Sequence, residues 1–399
     1  MAIVSKDKEI SRLYTFAAFV LDESSEEELQ RTFRTDTLSD THVARGGIDE
    51  AITWLRKHGR SPQRLLVDIS GSSRPLDDLD RLADACEPSV EVYVVGDRND
   101  VGLYRNLLTR GIQDYLVKPL SPELVRRVTE HAAPNRQRGR HGKCVTVLGT
   151  RGGVGATTVA AHLARTLAQG GTRRRVVYLD LNVHDGCGAG ILGRPGGNAL
   201  LDVLGNIDRL DQQYLERTLA DAGNGLYVLA AELDYSEDFR PGPGVLGKLL
   251  DTLCRHFHYV VLDIPQRGGA LASEALQYAA MVCLVTDTSV HSARTLTRLT
   301  RYIGSRPNPP TVMNLLNHPQ PASRHRVQAQ DFIKATDLSI QVRIAYDTKA
   351  PALAENLAQE LSAGSEFAHG VQELANLVTG EGFNQTDQAW WRRLARKTA

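Results

Sequence analysis

The stretch that most constrains this chain is a glycine-rich segment, residues 149–158 (GTRGGVGATT), which directly follows the apolar run 144–148. The pattern predicts a strand, a tight turn and then a helix from Thr157 to Gln169, in which apolar residues recur about once per turn. A turn of this kind points backbone N–H groups at a phosphate, and the helix N-terminus adds its dipole. The segment therefore predicts a phosphate-binding loop at the start of an α/β domain.

The loop lacks the lysine that such loops normally carry. The common pattern ends in Gly-Lys-Ser/Thr, where the lysine contacts the β- and γ-phosphates and the hydroxyl binds Mg²⁺. Here Thr157 supplies the hydroxyl, but Ala156 stands at the lysine position. The sequence predicts a loop that holds a nucleotide and is poorly equipped to hydrolyse it.

Length and composition favour a globular protein of the cytoplasm. A chain of 399 residues is expected to form two or three domains, and 42% hydrophobic residues suffice for their cores. The formal net charge of +0 gives no general bias toward nucleic acid. There is no apolar run of about 18 residues and no signal-peptide core, so we expect neither a membrane span nor export. The five cysteines are scattered without a CxxC motif, which favours reduced, mostly buried thiols: Cys86, Cys144, Cys187, Cys254 and Cys283.

Residues 14–131 alternate strand-like and helix-like segments, which predicts a parallel, doubly wound sheet. Polar residues follow several of these strands, and strand ends carry the site in such sheets. Asp22 and Glu23 follow the first strand, Asp68 ends the third, and Lys118 follows the fifth. We therefore expect these four side chains to share one pocket.

This order of residues resembles the receiver domain of response regulators. The resemblance implies that Asp22 and Glu23 bind Mg²⁺, that Asp68 accepts a phosphoryl group and that Lys118 contacts it. The hydroxyl that switches a receiver would fall on Gly96, which has no side chain. That departure favours a degenerate receiver used for docking or dimerisation over phosphorylation at Asp68.

A second α/β domain is predicted over 144–380, after a Pro-, Gly- and Arg-containing linker over 132–143. The run Tyr259–Asp263 has four apolar residues and ends in an acid, which is the form of a Walker B strand. Such an aspartate orients Mg²⁺ opposite the loop hydroxyl, so Thr157 and Asp263 are the predicted Mg²⁺ site.

The second domain resembles the ParA/MinD class of deviant-Walker ATPases, whose loop reads K-G-G-x-G-K-[ST]-[ST]. The resemblance implies that ATP and Mg²⁺ are the cofactors and that Asn314 contacts the adenine. It also implies nucleotide contacts from the whole loop: Arg151, Gly152, Gly153, Val154, Gly155, Ala156, Thr157 and Thr158. The signature lysine, which reaches across a dimer in this class, is Arg151 here, and arginine keeps the charge.

The class also carries a D-x-D motif after its second strand, and its second aspartate positions the attacking water. The corresponding residues are Asp180 and Asn182, so an amide replaces that carboxylate. With Ala156 as well, no catalytic residue is assigned, and ATP hydrolysis is expected to be weak or absent.

The pairing of the two domains resembles the TadZ/CpaE family of tight-adherence (Flp) pilus assembly proteins, over residues 14–375. Similar segments lie at 180–186, 200–204, 224–231 and 345–350, with Ala345 replacing a usual proline. The resemblance implies a localisation and scaffolding homodimer at the cytoplasmic face of the inner membrane or the cell pole. A secretion ATPase and an inner-membrane platform would be its partners.

The segment 381–399 is predicted to be a basic amphipathic tail. On a helix, Trp390, Trp391 and Leu394 share one side and Arg392 and Arg393 lie on the other. That arrangement suits an anionic membrane surface, although the tryptophans could instead pack on protein.

Two other functions remain open from the sequence. One is a two-component output in which phosphorylation gates a true ATPase, and the other is a ParA-like DNA-partitioning ATPase. Neutral overall charge argues against nucleic acid as a partner.

Overall fold

Strands and helices alternate along the chain, as the sequence pattern predicts. The computed structural model describes residues 14–36, 39–58, 61–130, 141–170, 174–237, 239–266, 269–318, 327–347, 349–362 and 364–380. These residues form two compact units, one with the elements before residue 131 and one with the elements from residue 143 onward. Most of the predicted linker and all of the predicted tail, including Trp390, Trp391, Arg392, Arg393 and Leu394, lie outside the described residues.

The first unit is one parallel sheet with helices between its strands. Its strands are β1 (Phe16–Val20), β2 (Thr41–Arg45), β3 (Arg64–Asp68), β4 (Glu91–Gly96) and β5 (Asp114–Val117). Its helices are α1 (Glu23–Thr35), α2 (Ile48–Lys57), α3 (Pro75–Ala85), α4 (Val101–Thr109) and α5 (Pro122–Glu130). The strand order β2-β1-β3-β4-β5, with every neighbour parallel, confirms the predicted doubly wound fold.

Strand β2 is the element of this unit that the sequence pattern did not locate. It reads THVAR, lies at the edge of the sheet, and none of its residues is fully buried. A central parallel strand is covered on both faces and reads as a continuous apolar run, whereas this edge strand does not.

The second unit is larger and has the same construction. Its strands are β6 (Lys143–Gly149), β7 (Val176–Asp180), β8 (Ala220–Gly223), β9 (Leu226–Leu229), β10 (Tyr259–Ile264), β11 (Met281–Thr286), β12 (Thr311–Asn317) and β13 (Val342–Ile344). Its helices are α6 (Ala156–Gln169), α7 (Gly188–Ile191), α8 (Ala199–Gly205), α9 (Gln212–Thr218), α10 (Val245–His256), α11 (Ala270–Tyr278), α12 (Val290–Gly304), α13 (Ala329–Thr336), α14 (Ala350–Leu357) and α15 (Glu366–Thr379).

The eight strands of this unit run in the order β13-β12-β11-β6-β10-β7-β9-β8. All neighbouring pairs are parallel except β8 and β9, which form an antiparallel hairpin at one edge. The order places β6 at the centre, beside β10 and β11. The loop that follows β6 therefore lies where the carboxyl ends of the central strands meet.

One hydrophobic core of the second unit lies between the sheet and helices α6 and α15. Leu163 and Leu167 of α6 pack with Val371 and Leu374 of α15, and all four side chains are fully buried. Burying each such side chain contributes about 1.5–3 kcal/mol relative to leaving it exposed. This packing fixes the axis of α6, and with it the orientation of the phosphate loop. None of the described helices is both long and apolar enough to cross a membrane.

His162 lies on the buried face of α6, with its ring edge against the ring of Phe367 and with 1% of its surface exposed. Burial, together with the nearby charge of Arg165, lowers the pKa of His162 to about 3. The unfolded chain binds a proton at this residue below pH 6.5, whereas the folded chain does so only near pH 3. The contribution of His162 to the free energy of unfolding is therefore most favourable above pH 6.5, and it is lost as pH falls toward 3.

We expect the His162→Leu variant to resist acid better than the wild type. Between pH 6.5 and pH 5, this histidine should lower the free energy of unfolding of the wild type by about 2 kcal/mol, because one pKa unit corresponds to about 1.4 kcal/mol. Urea unfolding at pH 7, 6 and 5 measures the difference. Parallel losses of stability in the two proteins would contradict the assignment.

Candidate nucleotide-binding site

A cavity of about 1290 Å³ opens at the carboxyl edge of the second sheet. Its walls are the glycine-rich loop after β6 and the segments that follow β7, β10, β12 and β13. Ligands bind at this edge in open parallel sheets, because the loops after the strands converge there. The volume is sufficient for a nucleotide.

The loop residues 151–158 all line this cavity, as predicted. Gly153 and Gly155 have φ angles of +75° and +87°, a region that favours glycine. A Cβ at Gly155 would also lie 2.6 Å from the amide nitrogen of Asn317. That amide donates a 2.7 Å hydrogen bond to the Val154 carbonyl, so the tight turn is held from β12.

Thr157 and Asp263 meet at the base of the cavity, where their side chains are hydrogen-bonded to each other. Asp263 is 3% exposed and is the second-last residue of strand β10, which lies beside β6 in the sheet. A hydroxyl and a carboxylate oxygen are ligands that Mg²⁺ accepts, usually with waters and phosphates completing the shell. The predicted pair is therefore brought together, and its chemistry fits the metal.

Tyr178 joins two buried carboxylates and was not identified from the sequence. Its hydroxyl lies 3.0 Å from Asp263 Oδ2, to which it donates, and 3.5 Å from Asp180 Oδ2. Burial, followed by the charge of Asp180, raises the pKa of Asp263 to about 7, and burial raises the pKa of Asp180 to about 6. In the absence of a cation, the two acids therefore favour holding a proton near neutral pH.

Asn182 lines the cavity, and its backbone N–H donates to Asp180 Oδ1 at 3.0 Å. Asp180 itself is almost fully buried and does not line the cavity. Ala156 lies at the first position of α6 and supplies only a methyl group. At the two positions where a lysine and a carboxylate would face the phosphates, the cavity therefore has a methyl group and an amide.

Arg151 is held within its own chain by an acid that the sequence reading missed. Its Nε donates to Asp287 Oδ2 at 3.0 Å, a second guanidinium nitrogen pairs with the same oxygen, and Nη1 donates to the Gly152 carbonyl at 2.9 Å. Burial opposes ionisation of Asp287, but hydrogen bonds from Arg151, Ser292 and Ser289 hold its pKa well below the usual range. The sequence did contain a signal for Asp287, because this acid directly follows the apolar strand β11.

The structure does not place Asn314 at the cavity. This residue lies within strand β12, is 5% exposed, and its amide nitrogen donates to the Ser339 carbonyl at 2.9 Å. Asn314 does not line the cavity, whereas Asn317, at the end of the same strand, does. The three-residue offset places the two side chains on opposite faces of the strand.

The first unit has a separate polar pocket at the carboxyl edge of its sheet. Lys118 Nζ lies 2.6 Å from Asp22 Oδ2 and 2.5 Å from Asp68 Oδ2. Burial works against the charged lysine, but hydrogen bonds with the two aspartates raise the pKa of Lys118 overall. The structure thus brings together three of the four residues predicted for this pocket.

Glu23 does not join the pocket, contrary to the prediction. It is the first residue of α1, is largely exposed, and pairs with Arg45 of β2 at 3.6 Å. Asp22 instead caps α1, accepting from the Ser25 N–H at 2.8 Å. No group of three or more His, Cys, Asp or Glu side chains suited to a metal ion occurs in the described parts of the chain.

Asp68 is enclosed on all sides. Its side chain is 0% exposed, and Oδ2 accepts from the Leu21 N–H and from Lys118. Its other oxygen accepts from the Ser70 N–H at 2.9 Å. No oxygen of this carboxylate is open to a phosphoryl donor.

Gly96 lies directly beneath the ring of Tyr115. A Cβ at Gly96 would lie 2.3 Å from the Tyr115 hydroxyl, which donates to the Arg98 carbonyl at 2.8 Å. A serine or threonine at the position of the receiver switch would therefore displace Tyr115. The packing explains why glycine occupies this position.

We expect purified protein to remain unphosphorylated when incubated with acetyl phosphate and Mg²⁺. Asp68 has no accessible oxygen, and breaking its bonds to Lys118 would leave a buried charge without a partner. Phosphate-affinity gels and intact mass measure the modification, with Asp68→Asn as the matched control. A mass increase that disappears in Asp68→Asn would show that the pocket opens.

Known proteins match mainly the second unit. Residues 142–308 match the family model described as an AAA domain. The septum site-determining protein MinD of Escherichia coli is 25% identical over 169 residues, which is 41% of this chain and 60% of MinD. This chain therefore spans less than two thirds of that relative's length. Over residues 142–308, this chain is therefore similar to AAA domains and to the MinD and ParA ATPases.

Two solved structures complete the comparison. MinD of Pyrococcus horikoshii, described as complexed with Mg-ADP, has a TM-score of 0.51 and 18% identity, covering 59% of this chain and 96% of that one. This structural similarity supports the α/β fold described above. The pilus assembly protein CpaE of Caulobacter crescentus is 31% identical, covering 30% of this chain and 98% of that one, with a TM-score of 0.28.

Proposed function

We propose that this protein is a nucleotide-dependent homodimeric scaffold with little or no ATP hydrolysis. The observation that carries the proposal is the composition of the loop cavity. Thr157, Asp263 and the turn glycines are suited to holding Mg²⁺ and phosphates, while Ala156 supplies no cation for the transferring group and Asn182 supplies no carboxylate to position the attacking water. One missing charged group can reduce a phosphoryl-transfer rate about 10³- to 10⁵-fold.

If the bound nucleotide is not hydrolysed, the state of the protein depends on whether the site holds a nucleotide or is empty. The Mg²⁺ bound with the nucleotide would offset part of the electrostatic cost of the buried acids, and the nucleotide would offer its phosphates to a second copy of the chain. Arg151 is the residue of this loop suited to that contact, because guanidinium groups bind phosphate oxygens bidentately. ATP and Mg²⁺ are thus the proposed ligands.

The first unit fits a docking or dimerisation module better than a phosphorylated receiver. Its central acid, Asp68, is paired with Lys118, and Tyr115 occupies the space that a side chain at Gly96 would need. The proposed domains are thus residues 14–131 and 144–380, joined by the linker over 132–143.

The finer proposal is a role in assembling tight-adherence pili, as in the TadZ/CpaE family. Residues 182–185 and 345–347, from two of the segments that resemble that family, both line the nucleotide cavity. A secretion ATPase and an inner-membrane platform are the proposed partners, and the cytoplasmic face of the membrane or the cell pole is the proposed location. The tail over 381–399 would supply peripheral membrane contact.

Size-exclusion chromatography with light scattering tests the switch, using the full chain with ATP, ADP or no nucleotide in the presence of Mg²⁺. The proposal expects dimer only with ATP and phosphate release close to the background rate. Rapid hydrolysis that Asp263→Ala abolishes would overturn it. In cells, deletion of the gene should remove pili, and a fluorescent fusion should be localised at the membrane or the pole.

One observation favours a DNA-binding alternative. Arg294, Arg298 and Arg301 recur at i, i+4 and i+7 along α12, which contains no acidic residue, and all three are exposed. Within the described residues, no ion pair to any of them is found. A gel shift with nonspecific duplex DNA that weakens steeply with salt would support this alternative, and its absence would favour the scaffold.

A further inference from the structure

The second unit contains a pair of cysteine thiols that the nucleotide site does not use. The Sγ atoms of Cys144 and Cys254 lie 3.3 Å apart, although the residues are 110 positions apart in the chain. All five cysteines are free thiols in this structure. We propose that Cys144 and Cys254 form a reversible disulfide when the protein meets a peroxide.

The two thiols lie on different elements, one on a strand of the sheet and the other on a helix. Cys144 is the second residue of β6, is 3% exposed, and is paired in register with Val260 of β10. Cys254 lies near the end of α10, whose leucines Leu250 and Leu253 are buried, and is itself half-buried. Closing the bond to about 2.05 Å requires a movement of little more than 1 Å between two sulfurs already in contact.

Exposure makes Cys254 the sulfur that meets the oxidant. Its thiolate attacks one peroxide oxygen, the O–O bond breaks, and the released hydroxide takes a proton, which gives a sulfenic acid and water. Cys144 then attacks the sulfur of Cys254 as its proton moves to the departing hydroxyl, and the S–O bond breaks. Overall, two thiols and one hydrogen peroxide give one disulfide and two waters, a two-electron oxidation.

Cys144 is suited to the second step and not to the first. The hydrogen bond with Cys254 and burial both raise the pKa of Cys144, which makes it a poor nucleophile toward peroxide, whereas its 3.3 Å contact with the Cys254 sulfur places it directly beside a sulfenic acid formed there. Leu250 and Leu253 of α10 are buried, and Cys144 itself is 3% exposed. Because the two sulfurs lie only 3.3 Å apart, the neighbouring thiol reaches the sulfenic acid before a second peroxide does.

The bond would join α10 to the strand that leads into the phosphate loop. Strand β6 runs from Cys144 to Gly149, and the loop follows without interruption. A disulfide closing so long a segment restricts the unfolded chain, so the oxidised protein should melt at a higher temperature. The modification would stabilise the second unit during oxidative stress without touching the nucleotide contacts.

The experiment treats the full-length protein with hydrogen peroxide, blocks remaining thiols and maps peptides by mass spectrometry. The proposal expects a cross-linked peptide containing Cys144 and Cys254, a melting temperature higher by several degrees, and reversal of both by dithiothreitol. Cys254→Ser should lose the cross-link, whereas Cys187→Ser, at the other solvent-accessible cysteine, should keep it.

Two results would overturn the proposal. One is over-oxidation of Cys254 to the sulfinic acid with no cross-linked peptide. The other is a cross-link that disappears in Cys187→Ser and persists in Cys254→Ser. Both variants change residues on or near the surface, so their folding can be checked by their melting curves before oxidation.

Discussion

Restoring two charges in the loop cavity should convert this protein into an ATPase. In the double variant Ala156→Lys/Asn182→Asp, we expect turnover to rise about 10²- to 10⁴-fold over the wild type, because the lysine stabilises charge on the transferring phosphoryl group and the aspartate positions the attacking water. The remaining parts of the site, Thr157 and Asp263, are already in contact. Phosphate release at saturating ATP and Mg²⁺ measures the gain.

The matched control for the lysine is Ala156→Met, which adds similar length without charge. Together with Asn182→Asp it should give little or no gain. Adding Asp263→Ala to the activated variant should return turnover to background. If the double variant and the methionine control have equal rates, the two missing charges are not what limits hydrolysis.

Removing the Arg151 side chain should weaken the ATP-bound dimer about 10- to 100-fold. A hydrogen bond to a charged group contributes roughly 1.5–3 kcal/mol, and in the proposed dimer the guanidinium contacts the partner's phosphates. Asp287→Ala should have the opposite effect, because it releases Arg151 from the pair that holds it within its own chain. Sedimentation equilibrium with ATP and Mg²⁺ measures both dissociation constants.

The combined variant Arg151→Ala/Asp287→Ala separates two explanations. If Arg151→Ala acts only by leaving Asp287 without its partner, removing both side chains should restore the dimer. If Arg151 contacts the second copy, the combined variant should remain as weak as Arg151→Ala. Equal dissociation constants for all four proteins would exclude any role of this pair in dimerisation.

The position and lining of the loop cavity were largely predictable from local sequence. The glycine loop and the hydroxyl at Thr157 follow one apolar strand, the acid at Asp263 lies near the carboxyl end of another, and parallel strands bring such positions to one edge. The absence of charge at Ala156 and Asn182 is likewise a property of single positions. These residues needed only the strand pattern to be interpreted.

The errors concern which way a side chain points. Asn314 and Asn317 lie on the same strand, and only the end of that strand reaches the cavity. Asp22 and Glu23 are adjacent in sequence, yet one caps α1 beside Lys118 and the other turns to Arg45. Adjacent residues at a strand end diverge because the chain changes direction there, and the sequence does not show where the turn occurs.

The sequence by itself determined the two alternating α/β domains, the phosphate loop and its missing lysine. Only the tertiary structure decided the partners of the charged and reactive groups. Arg151 and Asp287 are 136 positions apart in the chain, Tyr178 and Asp263 are 85 positions apart, and Cys144 and Cys254 are 110 positions apart. Periodicity records which face of an element is buried, whereas pairs this distant meet only after the strand order of the sheet is set.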